Sequence, residues 1–195
     1  MKIAIFYHLA LMKNWREVDA EIMGKLKSSG LLERADMFVR NECKDIELYE
    51  FPTLNMLDEF SVRHDYSILY IHTKGVSRTE ESIADWRECL LYWNVERWKE
   101  CVEKLNRGYD AVGINIVDKP ARHFQGNFWW ANTEHIRRLG TVQSVKFPPR
   151  HDLSDRHKAE FWILSQPARI YTPYHHGINP YMTKNPRRNY EGKKF

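Results

Sequence analysis

The sequence has little cysteine and no long apolar run. Its three cysteines, Cys43, Cys89 and Cys101, form no Cys-x-x-Cys or other paired spacing, which argues against a disulfide framework and favours a reducing compartment. No segment approaches the roughly 20 apolar residues that a membrane-spanning helix needs. We therefore expect a soluble, cytoplasmic protein without a membrane span.

Several catalytic motifs are also missing. Tyr7-His-Leu-Ala-Leu-Met12 follows the first predicted strand where a dinucleotide-binding domain would carry Gly-x-Gly-x-x-Gly. There is no Gly-x-x-x-x-Gly-Lys-Ser/Thr and no Gly-x-Ser-x-Gly. These absences argue against nicotinamide, P-loop and serine acyl-transfer chemistry.

The charge is modestly positive. The sequence contains 30 Lys and Arg and 26 Asp and Glu, which gives a formal net charge of +4. Much of the excess positive charge lies in residues 184–195. Such an excess suits an anionic ligand such as a nucleoside diphosphate but is too small for a nucleic-acid partner. We expect one domain over residues 1–183, and a basic tail or the start of a linker to further domains over 184–195.

Strand and helix patterns alternate along the chain. Apolar, β-branched runs predict strands over 2–7, 35–40, 46–51, 67–71, 109–117 and 168–172. Helical spacing predicts helices over 15–29, 54–59, 82–107, 134–139 and 157–165, with Thr133 as a cap and a loop over 141–155. The alternation predicts a single-domain α/β/α sandwich with a mainly parallel mixed sheet.

The clearest candidate site follows the buried strand over 67–71. His72, Thr73, Lys74 and Gly75 come directly after it, and ligands of open α/β sheets bind beyond the carboxyl ends of strands. These residues are therefore expected to contact a ligand.

Two other segments combine aromatic and polar side chains. Gln125-Gly-Asn-Phe-Trp-Trp-Ala-Asn132 places two tryptophans among amides, a combination that suits sugars; the alternative is that one tryptophan belongs to the core. His175 and His176 follow the last predicted strand. Adjacent side chains of an extended segment diverge, so a two-histidine metal chelate is not expected, and one of them reaching a phosphate is favoured.

Six motifs in order give a family resemblance. They are Tyr70-Ile-His-Thr-Lys-Gly75, Asp85-Trp-Arg87, Tyr109-Asp-Ala-Val-Gly113, Gly126-Asn-Phe-Trp-Trp-Ala-Asn132, Ala159-Glu-Phe-Trp162 and His175-His-Gly177. Together they resemble small glycosyltransferases of the GT-A fold, a Rossmann-like fold, in particular the N-terminal glycosyltransferase domains encoded by chlorella viruses for capsid glycosylation. The resemblance covers nearly the whole chain and implies a viral protein in the host cytoplasm.

The resemblance implies a nucleotide-sugar donor, expected to be a UDP-sugar, with Tyr7 and His8 near the base. Many such enzymes hold a divalent cation with Asp-x-Asp where this chain has His72-Thr-Lys74, and no Asp-x-Asp occurs anywhere in the sequence. Lys74 and a histidine could neutralise the departing diphosphate directly. We therefore hypothesise metal-independent transfer, and leave open a Mn²⁺ or Mg²⁺ ion bound by other carboxylates.

The resemblance also implies a general base for transfer to a glycan or glycoprotein, with inversion preferred. Glu160 matches the usual location, and Asp85 is the second candidate. Each could instead be a surface acid, Glu160 stabilising a helix dipole and Asp85 pairing with Arg87. Asn127, Trp129 and Trp130 would hold the sugar or acceptor.

Two other functions remain open at this point. A non-catalytic nucleotide-sugar or carbohydrate-binding module would explain the missing Asp-x-Asp. A nucleic-acid binder that uses the basic end and exposed aromatics is the third possibility.

Overall fold

A six-stranded mixed sheet forms the centre of the computed structural model, which describes residues 2–147 and 152–195. Its strands are β1 (Lys2–Ala10), β2 (Met37–Cys43), β3 (Tyr66–His72), β4 (Ala111–Gly113), β7 (Trp129–Asn132) and β8 (Ile170–Tyr171). The order is β2-β1-β3-β7-β4-β8, and only β7 runs antiparallel to its neighbours. A second sheet pairs β5 (Ile116–Val117) with β6 (His123–Phe124). The predicted α/β class and mainly parallel mixed sheet are confirmed.

Helices cover both faces of the large sheet. They are α1 (Trp15–Ser28), α2 (Leu31–Arg34), α3 (Phe51–Arg63), α4 (Glu81–Leu91), α5 (Trp98–Asn106), α6 (Thr133–Ile136) and α7 (His157–Phe161). Alternate residues of β1 enter two separate cores: Ile3 and Ile5 pack with α1 and α4, whereas Ala4 and Phe6 pack with α3 and α7. This alternation follows from the two-residue period of a strand.

The pairing of β1 with β3 determines where the candidate site lies. The register runs from Lys2 beside Tyr66 to His8 beside His72. The first strand extends to Ala10, three residues beyond its predicted end. His8 and the residues after His72 therefore meet at one edge of the sheet.

The predicted helix over 82–107 is interrupted. A π-helical segment, Tyr92–Glu96, separates α4 from α5. Within it the Asn94 side chain donates to the Leu90 carbonyl at 2.9 Å, and the Asn94 carbonyl accepts the Trp130 indole N–H at 2.8 Å. The buried Trp130 indole thus has the Asn94 carbonyl as its hydrogen-bond acceptor. A carbonyl in a regular helix is less available, because it already accepts a backbone hydrogen bond within the helix.

Two strand predictions were wrong in part. The expected strand over 46–51 is a 3₁₀ turn, Ile46–Leu48, followed by α3, which holds Pro52 in its first turn where a backbone N–H has no helical partner. The expected strand over 109–117 is divided at Asn115, whose φ of 53° ends β4 and redirects the chain into β5.

The later elements are shorter than predicted. The helices expected over 134–139 and 157–165 are α6 and α7, each followed by irregular or 3₁₀ structure. Thr133 is not the cap, because it is the first helical residue and its hydroxyl accepts the Tyr66 N–H at 3.1 Å. The expected loop over 141–155 contains a 3₁₀ turn, Val142–Ser144, and its residues 148–151 lie outside the described residues.

Residues 184–195 pack against the domain. Tyr190 is fully buried, Arg187 binds Glu96 at 2.7 Å, and the Phe195 ring stacks 5.8 Å from that of Tyr171. This basic segment is therefore part of the folded unit, not a solvated tail.

All three cysteines are free and buried. Among the described residues, no helix has the length and apolar character to cross a membrane.

The close contact between the two sheets gives a stability test. A Cβ on Gly113 would lie 2.7–2.9 Å from atoms of the buried Phe124 ring, whereas one on Gly24 would meet no atom within 4 Å. We expect Gly113→Ala to lower the free energy of unfolding by about 1–3 kcal/mol through overpacking. Gly24→Ala, the matched control within α1, should raise it by roughly 0.5–1 kcal/mol. Urea unfolding measures both, and equal effects would contradict the argument.

Candidate functional site

A cleft of about 570 Å³ opens where β1 and β3 end. The loop over 72–78 forms one wall, the chain between β2 and α3 contributes Asp45, Tyr49 and Glu50, and the start of α7 contributes His157 and Glu160. Its position agrees with the rule that open α/β sheets bind ligands at the carboxyl ends of their strands.

Hydrogen bonds from β1 and α4 fix the loop over 72–78. The Thr73 hydroxyl accepts the Ala10 N–H at 3.0 Å, which ties the loop to the end of β1. The buried Arg87 guanidinium donates to the Lys74 carbonyl at 3.1 Å and to Glu21 of α1 at 2.6 Å. Thr73 and Arg87 therefore position the loop.

The turn requires glycine at position 75. Its φ is +80°, and a Cβ there would overlap the Ile83 side chain. Among the described residues, the backbone N–H groups of Gly75, Val76 and Ser77 have no hydrogen-bond acceptor. Consecutive free N–H groups in a turn of this kind favour an anionic ligand.

Cations and aromatic rings line the same wall. The Lys74 ammonium lies 4.1 Å from the centre of the Trp86 ring, and the Arg78 guanidinium lies 5.2 Å from that of Tyr181. No carboxylate of the described residues lies within 4 Å of the Lys74 ammonium. Its charge is therefore available to a ligand.

Glu50 also lines the cleft and was not predicted as a site residue. Its Oε2 accepts the Tyr70 hydroxyl at 2.6 Å and the Asn127 amide at 2.7 Å, while its Oε1 lies 3.9 Å from His72 Nδ1. A single glutamate within the predicted strand over 46–51 forms no motif that would mark it as a site residue. Asn127, predicted to hold a sugar, instead holds Glu50.

Two histidines, His8, which is buried, and His72, which is half-buried, also line the cleft. Burial lowers the pKa of His8 to about 4, with a further lowering by His72 and an opposing effect of Glu50. Burial and the Lys74 charge lower the pKa of His72 to about 3, against the opposing effects of the Gly126 carbonyl and Glu160. Both rings are therefore neutral at pH 7, and Lys74, not a histidine, is the cation at the end of β3.

Glu160 lines the cleft near His72. It is half-buried in α7, and its carboxylate has no hydrogen-bond or ion-pair partner among the described residues. An unpaired carboxylate that faces a cleft can accept a proton from a bound hydroxyl.

Several other predicted residues lie outside the cleft. Tyr7, Trp129 and Trp130 are fully buried in the two cores. The Trp129 indole donates to Asn127 at 2.9 Å, so its polar edge is engaged within the protein. The alternative that a tryptophan of this segment belongs to the core holds for both.

Asp85 and the histidine pair also lie elsewhere. Asp85 accepts the Asn185 N–H at 3.1 Å, so it holds the C-terminal segment against α4. His176 Nδ1 accepts the Ile178 N–H at 3.2 Å, and His175 is exposed beside it. None of the three lines the cleft.

The described residues contain no group of three or more His, Cys, Asp or Glu side chains arranged to hold a metal ion.

A family model described as a domain of unknown function, DUF8361, matches residues 12–152. The chain belongs to the DUF8361 family. The matched region of this DUF8361 protein includes Glu50, His72 and Lys74, whereas Glu160 and Tyr181 lie beyond it. No curated protein and no solved structure matches the chain.

The lowered histidine pKa values predict loss of stability in acid. An unfolded histidine binds a proton near pH 6.5 while folded His8 does so only near pH 4, so stability falls as the pH drops through this window. Between pH 7.5 and 5.0 His8 alone should cost about 2 kcal/mol. A His8→Asn variant, which does not titrate, should show a correspondingly smaller difference in urea unfolding at the two pH values. An unchanged difference would contradict the assignment.

Proposed function

We propose that this protein is a glycosyltransferase that moves a sugar from a nucleotide-diphosphate donor, expected to be a UDP-sugar, to a hydroxyl of a glycan or glycoprotein. The observation that carries the proposal is the cleft itself. It is lined by an unpaired lysine, Lys74, an unpaired carboxylate, Glu160, and the neutral His72, whose pKa both charges influence. A donor diphosphate needs the first group and an acceptor hydroxyl needs the second.

The loop over 72–78 supplies the diphosphate site in this proposal. Lys74 and Arg78 contribute positive charge, and the free N–H groups of Gly75, Val76 and Ser77 are suited to phosphate oxygens. Fixed donors of this kind stabilise the negative charge that develops on the leaving diphosphate.

Glu160 supplies the base. It would remove the proton from the acceptor hydroxyl as that oxygen bonds to the anomeric carbon. The bond from that carbon to the diphosphate oxygen breaks, and the nucleoside diphosphate leaves beside Lys74. Attack from the face opposite the leaving group inverts the anomeric centre, which is the preferred outcome.

The role of a metal ion belongs to the proposal as a hypothesis. Lys74 lies where many enzymes of the resembled fold have Asp-x-Asp, so we propose transfer without a divalent cation. Activity that depends strictly on Mn²⁺ or Mg²⁺, and is lost on chelation, would contradict this part.

A non-catalytic nucleotide-sugar or carbohydrate-binding module is the second candidate, and the lack of Asp-x-Asp favours it. Such a module would bind UDP-sugars without releasing UDP. Detectable transfer or donor hydrolysis would exclude it.

The diphosphate site predicts a specific loss on substitution. Lys74→Ala should weaken UDP binding roughly 10- to 100-fold, the effect of losing a hydrogen bond to a charged group. Lys27→Ala, which removes an exposed lysine of α1 that has no ion pair among the described residues, is the matched control. Calorimetric titration with UDP, with and without Mn²⁺ and after chelation, measures both. Equal affinities of the two variants would count against the site.

The base predicts a different pattern. Glu160→Gln keeps the side chain's size but cannot take a proton, so turnover should fall roughly 10²- to 10⁴-fold while UDP affinity stays within twofold. Release of UDP from a panel of UDP-sugars in the presence of acceptor glycans measures turnover. Near-normal turnover would remove Glu160 from the mechanism.

A further inference from the structure

Two hydrogen-bond acceptors lie close together in the cleft, and no donor of the described residues bonds to either of them. They are Glu50 Oε1 and His72 Nδ1, 3.9 Å apart, and both residues line the cleft. The side chains are largely buried, with 17% and 12% of their surfaces exposed.

The hydrogen bonds of His72 establish that Nδ1 is an acceptor. Its Nε2 lies 3.0 Å from the Gly126 carbonyl oxygen, which can only accept, so Nε2 carries the proton. The ring is neutral at pH 7, because burial and Lys74 lower its pKa. Nδ1 therefore presents a lone pair.

The hydrogen bonds of Glu50 establish which of its oxygens is free. Oε2 accepts from Tyr70 and Asn127, both buried, which fixes the carboxylate in place. Oε1 has no donor among the described residues. These two acceptors are fixed, partly buried and without a hydrogen-bond donor, and a ligand can supply that donor.

His8 adds a donor close to this pair. Its Nδ1 lies 2.8 Å from the Thr53 hydroxyl, which also accepts the Asn41 amide at 2.9 Å. No other acceptor for the Thr53 hydroxyl proton exists among the described residues, so that proton goes to His8 Nδ1 and His8 Nε2 carries its own. Alternating donors and acceptors match a polyhydroxylated ring.

We infer that Glu50 Oε1 and His72 Nδ1 share the single proton of one hydroxyl group of a hexose in a three-centre hydrogen bond, which makes Glu50 a sugar-binding residue of this cleft. This inference rests on the proposed function. The group recognised by Glu50 and His72 is a hydroxyl of the transferred sugar, which donates the hydrogen bond. A deoxy sugar at that position would leave both acceptors unpaired, so the pair would discriminate against it.

The ¹⁵N resonance of His72 Nδ1 reports directly on this pair. We would titrate the ¹⁵N-histidine-labelled protein with D-glucose, D-galactose, D-mannose, L-rhamnose and D-xylose, each with and without saturating UDP. A hydrogen bond from a sugar hydroxyl should move the Nδ1 resonance upfield in a saturable way for at least one sugar, and the monodeoxy analogues of that sugar should include one that fails to do so.

Two substitutions complete the test. Glu50→Gln should raise the dissociation constant of the sugar, obtained from the Nδ1 titration, by at least about tenfold, as expected for losing a hydrogen bond to a carboxylate. Glu47→Gln, at an exposed glutamate three residues away that does not line the cleft, is the matched control and should leave it unchanged. Glu50→Asp is the second variant if Glu50→Gln does not fold, and it should show the same loss.

The outcomes separate the inference from the proposed function. Sugar effects at His72 without UDP binding would support the sugar pair and count against the nucleotide donor. UDP binding without any saturable sugar effect at His72, measured against the UDP-bound baseline, would overturn the inference and leave the donor site standing.

Discussion

The parallel pairing of β1 with β3 is the constraint on which the candidate site depends. Because His8 lies beside His72 in that register, both strands end at one edge of the sheet and deliver their following residues to the same cleft. A shift by one residue would turn His8 into the opposite core and place Tyr7 at the cleft. Alternate residues of β1 pack into the two apolar cores, so such a shift would move each of them to the wrong core.

Arg87 connects this sheet edge to the helical layer. Its guanidinium is largely buried, and removing it from water costs free energy that its bonds to Glu21 and the Lys74 carbonyl offset. Loss of either partner would leave a buried charge poorly paired. The arrangement holds the Lys74 backbone in place while its ammonium stays over Trp86, so the lysine is positioned without being neutralised.

Sequence patterns anticipated those features that depend on local order. The apolar run before His72 predicted β3, and the polar, glycine-containing turn after it predicted the loop that lines the cleft. Both were predictable because strand burial and glycine conformation depend on neighbouring residues in the sequence. Glu50 could not be found in this way. Its importance comes from Tyr70 and Asn127, which lie 20 and 77 positions away. The adjacent tryptophans predicted a surface that binds a sugar, but both are buried in the cores. The burial of an indole depends on tertiary packing, which cannot be inferred from the local sequence.

The two carboxylates of the cleft differ in their hydrogen bonding, which is the reason for giving them different roles in the proposed function. Glu50 is fixed through Oε2 by Tyr70 and Asn127, so one oxygen is committed and the other points to a single place. Glu160 has no partner among the described residues and sits on the short helix α7, so it can adjust to an incoming hydroxyl. A rigid acceptor is suited to recognising one hydroxyl of a bound sugar, and an unengaged carboxylate is suited to removing a proton from another. His72 lines the same cleft, and because its ring is neutral it does not cancel the charge of Glu50, Glu160 or Lys74.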